Sequence, residues 1–78
     1  MKGFSMNELQ PIINIVFFRK GWEGDYFHAI TPCIGVDGVK KEAGKSDDVP
    51  VVLFDGQGKS IVIDYDTGGL DEALKLWH

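Results

Sequence analysis

Residues 49–54 read Val-Pro-Val-Val-Leu-Phe, residues 55–59 Asp-Gly-Gln-Gly-Lys, and residues 60–66 Ser-Ile-Val-Ile-Asp-Tyr-Asp. Two runs rich in β-branched and aromatic residues flank a turn with two glycines, which predicts a β-hairpin. Asp55 suits the first position of a type I turn and Gly58 the left-handed position after it, giving a three-residue loop with a bulge. That turn sets Leu53 opposite Ile61, Val51 opposite Ile63 and Val49 opposite Tyr65, so these apolar residues share one face. A two-residue turn would put Val52 beside Ile61 and split the apolar set between faces, so the bulged register is preferred. In it Val52, Phe54 and Val62 point away from Ile61 and Ile63.

Working outward, residues 12–19 (Ile-Ile-Asn-Ile-Val-Phe-Phe-Arg) form a run suited to a strand and too short for a convincing helix. Ile13, Ile15 and Phe17 share one face, Ile12, Val16 and Phe18 the other. Such a strand belongs in a sheet covered on both sides or at a subunit interface. Gly21 and Gly24 mark a loop into a second strand at residues 26–31, pairing with the first as another hairpin, and Pro32 should end or kink it. Asp37-Gly38 suggests a tight turn or the close of a short edge strand at residues 34–39. Residues 40–48 are polar without periodicity and read as a mobile surface connection. Near the C-terminus Leu70, Ala73, Leu74 and Trp77 recur at helical spacing, with Asp71 and Glu72 placed for the N-terminal end of a helix dipole. A helix of about nine residues is marginal alone, so its apolar stripe must dock on the sheet.

The chain has 78 residues, one of them cysteine, so it reads as a single domain, residues 1–78, with a thin core and no internal disulfide. Small size makes self-association a live option. Ser5 and Glu8 have the spacing of a capping box, but Pro11 limits any helix there to about one turn. Residues 1–10 therefore read as a loosely ordered extension, and Met6 is as plausible a start as Met1. A net charge of −4 argues against direct contact with nucleic acid phosphates or anionic lipid. No apolar run approaches a membrane span and no signal peptide is recognisable, so the expected location is cytoplasmic.

Several motifs dissolve on inspection. Gly-Gln-Gly-Lys-Ser at residues 56–60 ends like a phosphate-binding loop, but Leu53 stands where the first glycine belongs and a strand follows instead of a helix. Asp64 and Asp66 resemble the start of a calcium loop, yet Gly68 and Lys75 occupy positions that need oxygen ligands. His28 and Cys33 lie five apart with no third group to orient the imidazole, and with His78 they give no zinc spacing. Trp22, Tyr26 and Phe27 cluster at the first hairpin. Trp22 is expected to fold back over the core, the alternative being an anchor for a partner.

The sequence thus predicts an α+β domain: an antiparallel sheet of four or five strands with one C-terminal helix on one face. The expected function is a non-catalytic acidic protein-interaction module needing no cofactor or metal, with a homodimer as one form. Its expected surface is Trp22, Val52, Phe54 and Val62. Two other classes remain open: an acidic inhibitor or immunity-type protein covering a basic site on a toxin or nucleic-acid enzyme, and a small-molecule binder or minor enzyme with a pocket near Asp64, Asp66 and His28. One helix covers one side of a sheet, so the N-terminal segment or another chain must cover the second.

Overall fold

The computed structural model describes residues 11–77. The element order is β1 (Ile12–Gly21), β2 (Gly24–Ile34), α1 (Gly35–Lys45), β3 (Val49–Phe54), β4 (Ser60–Val62) and α2 (Gly69–Leu76). The strands form one antiparallel sheet in the order β2-β1-β3-β4, an α+β fold with β1 inside the sheet.

Near the turn the β3–β4 hairpin has the register that its turn chemistry dictates, but β4 ends at Val62 and the expected Val49–Tyr65 pair does not form. The β1–β3 pairing slips between Val16 and Phe17, which leaves Val51 as the extra residue of a bulge and turns Val49 to the opposite face, beside Phe18. Leu53 pairs with Ile61, the Asp55 amide donates to the Lys59 carbonyl, and the Ile63 amide donates to the Val51 carbonyl. One Asp55 carboxylate oxygen accepts from the amides of Gln57 and Lys59 at 2.9 Å each. Gly58 sits at φ +91°, the left-handed position that a side chain would strain. Beyond β4 the Tyr65 hydroxyl donates to the Pro50 carbonyl, tying the hairpin's open end.

The first hairpin is longer than its sequence suggests. β2 runs through Pro32 to Ile34, opposite Asn14 and Ile12, and does not stop at the proline. The strand order supplies the reason: β2 is at the sheet edge, where a missing backbone donor is tolerated. The pairing slips between Phe17 and Phe18, because Phe17 faces Ala29 while Phe18 faces Phe27, leaving His28 as the extra residue of a bulge.

The expected edge strand and turn at residues 34–39, and the first part of the expected mobile connection at residues 40–48, are replaced by α1, which leaves residues 46–48 as the connection to β3. Val36, Val39 and Ala43 recur at helical spacing, and Val39 is fully buried. Gly38 lies on the side of this helix that packs against β2: a Cβ added there would stand 3.4 Å from that of Cys33, at ordinary contact distance. Asp37-Gly38 is therefore a helix segment in close packing, not a turn.

The core sits on one side of the sheet. Ile13, Ile15 and Phe17 of β1, Cys33 of β2 and Leu53 of β3 join Ile63, Val39 of α1, and Ala73, Leu74 and Trp77 at α2. Both helices thus cover the same face. The Lys59 ammonium lies 4.7 Å from the Trp77 ring centre, so the hairpin turn also holds the end of α2.

Candidate protein interface

The face opposite the helices is built by the alternation of the same strands. Cross-strand partners share a face, so Ile30, Val16, Val52 and Val62 form one row across all four strands. Pro32, Asn14, Phe54 and Ser60 form a second row beside it, and Ile34 with Ile12 a third on β2 and β1. On the other side of the central row Phe18 stands between Phe27 and Val49. No charged side chain occupies any of these positions. The polar groups are Asn14, whose amide donates to the Phe54 carbonyl, and the Ser60 hydroxyl.

These side chains are well exposed: Val62 at 75%, Ile34 at 59%, Phe27 at 55%, with Ile30 and Ile12 at about half. Val16, Phe18, Val52 and Phe54, on the inner strands, are half-buried. With an aromatic side chain spanning about 150–250 Å² and the aliphatic ones less, the exposed apolar area is roughly 600 Å². Among the described residues no element covers it. That puts the patch at the upper limit of what monomers expose, on the order of 300–600 Å².

Of the residues expected to form the surface, Val52, Phe54 and Val62 come together here. Trp22 does not join them. β3 stops opposite Phe18, so residues 19–26 continue as a two-stranded arm, and Trp22 at its tip is 97% exposed. It does not fold back over the core, because the arm carries it past the last strand that could receive it. Ile30 and Ile34, absent from the expected surface, belong to it. The signal was their spacing of four along an edge strand, readable once β2 is known to pass through Pro32.

The other polar groups are committed to the fold. Arg19 donates from Nε and an Nη to the two Asp48 oxygens, at 2.9 and 3.3 Å, and from that Nη to His28 Nε2 at 2.9 Å. Hydrogen bonding to Arg19 holds the Asp48 carboxyl below its ordinary range, against the opposing effect of desolvation. The cluster joins the arm's base to the start of β3. His28 is thus turned to Arg19 and Asp48, while Cys33 is buried under α1, and burial, with Glu42 nearby, pushes its thiol up, away from the thiolate. Asp64 Oδ1 accepts from the Asp66 amide and its carbonyl from those of Thr67 and Gly69, shaping the entry to α2.

His28 on β2 and Asp64 after β4 belong to opposite edges of the sheet, so they do not share a pocket. The space beside Asp64, lined by Ile61, Thr67 and Ala73 among others, holds about 50 Å³, too little for a metabolite. A wider cleft of about 380 Å³ lies between the helices, among Val36, Lys40, Asp71, Leu74 and Lys75. Among the described residues no group of three His, Cys, Asp or Glu side chains is placed to hold a metal ion, and no helix is long and apolar enough to cross a membrane. Comparison with known protein families, curated proteins and solved structures finds no match to this chain.

Proposed function

We propose that the protein is a non-catalytic interaction module whose working surface is the uncharged face of its sheet. One observation carries the reading. About a quarter of the chain's residues are charged, yet every outward position from Phe27 and Phe18 to Ile34 and Ile12 is uncharged. A solvated sheet face alternates polar residues outward, and a face that is apolar outward as well is built to be covered. The reading gains support from the polar side chains: Asp48, Asp55 and Asp64 serve the ion pair and turns that hold the framework rigid.

Hydroxyl-radical footprinting tests this reading. In an extract of the native host, Phe27, Ile30 and Val62 should be protected several-fold relative to the same residues in the purified chain at nanomolar concentration. Tyr65 and Leu76, exposed elsewhere, serve as controls whose labelling stays unchanged. Equal labelling of the face in both samples would refute the proposal.

A further inference from the structure

We infer that the occupant of the uncharged face is a second copy of this chain, packed sheet against sheet about a two-fold axis near Val16 and Val52. The inference rests on reading that face as an interface. Three features choose the partner.

The first is area. Roughly 600 Å² of apolar surface, widened by the neutral rim of Asn14, Pro32 and Ser60, approaches the ~800 Å² that each partner contributes to a standard stable interface. Two such faces meeting would close a β-sandwich, whose inner layer is built from the outward residues of both sheets.

The second is charge. A two-fold axis brings the residues beside it near their own copies, so any charge at the centre would meet its like. A chain of net charge −4 meets itself at the least electrostatic cost through a face without charge. This face meets that condition, and its two polar side chains, Asn14 and Ser60, can each both donate and accept hydrogen bonds across the interface. A foreign partner would impose no such neutrality.

The third is the state of the edges. β4 is three residues long, and the free edge of β2 is interrupted by Pro32 and by the bulge at His28. Both features discourage pairing edge to edge, which leaves the face as the route to association.

Light scattering and sedimentation on the full chain from 1 to 200 μM test the inference. The wild type should show twice the single-chain mass of 8.7 kDa. Val52→Lys should return the mass to one chain with an unchanged far-ultraviolet dichroism spectrum. Val62→Lys, at the exposed edge of the face, should weaken association by at least tenfold, and it serves as the test should Val52→Lys fail to fold. Mixing Val52→Lys with Val52→Glu should restore the double mass, since opposite charges then meet near the axis; a foreign-partner surface predicts no such rescue. A wild type of single-chain mass at 200 μM would overturn the inference and give the face to another protein or to residues 1–10. Folded lysine variants that dimerise like wild type would overturn it too, by placing the interface elsewhere. Protection in the extract together with a monomeric pure chain would sink the self-association and leave the interaction reading standing.

Discussion

Gly68 shows how much a single backbone position decides. Its φ of +121° is open to glycine and strained for other residues, and a Cβ there would stand 2.7 Å from that of Glu72. Strain and clash act together, so Gly68→Ala should cost at least about 1–2 kcal/mol, read as a lower urea midpoint. An unchanged midpoint would mean that the entry to α2 relaxes freely. At Asp48 the governing quantity is protonation. Its folded-state pKa is the lower one, so the unfolded chain takes up the proton first, and the pair with Arg19 contributes fully above about pH 5. The contribution is lost as pH falls through the lowered folded value. Asp48→Asn should therefore be less stable than wild type at pH 7, with a gap that shrinks by pH 3. A gap independent of pH would show that the ion pair does not contribute through charge.

Among the elements, the β3–β4 hairpin was legible because two independent signals, the Asp55–Gly58 turn and the alternation of Leu53, Ile61 and Ile63, specify one register. Ile63 is 6% exposed, so Ile63→Asp buries a charge among Leu53, Leu74 and Trp77 and should unfold the domain, a loss readable in circular dichroism. Helix α1 was masked in the sequence by its glycines. Gly35, Gly38 and Gly44 interrupt the apolar stripe of Val36, Val39 and Ala43, and Asp37-Gly38 is also the commonest kind of turn signal. The packing of α1 on Cys33 is a tertiary fact, invisible to local reading. Gly44 is exposed and nothing lies within 4 Å of an added Cβ. Gly44→Ala should then stabilise the chain by about 0.5–1 kcal/mol, a gain that thermal melting would register.

At the level of the whole molecule, the doubly apolar character of β1 was readable from Ile12 to Phe18, whereas strand order was not, since β1 meets β3 across some forty residues of chain. The fate of Trp22 depended on that order, because only the length of β3 makes the first hairpin into a projecting arm. The two tryptophans should accordingly behave as opposites. Trp22→Ala should change the urea midpoint by less than the equivalent of about 0.5 kcal/mol, while Trp77→Ala, which empties a buried site, should cost about 3–5 kcal/mol.

The interior place of β1 also governs how the chain is assembled in time. The arm hairpin closes through a local loop in about 1–10 μs, but β3 must first be brought back past α1 before Asn14 can face Phe54. Until then both greasy sides of β1 are bare, one destined for the core and one for the outer face, so an early hairpin from one chain is as attractive to its twin as to its own missing strand. Refolding yield should therefore fall as chain concentration rises, even under conditions where the finished protein stays dissolved.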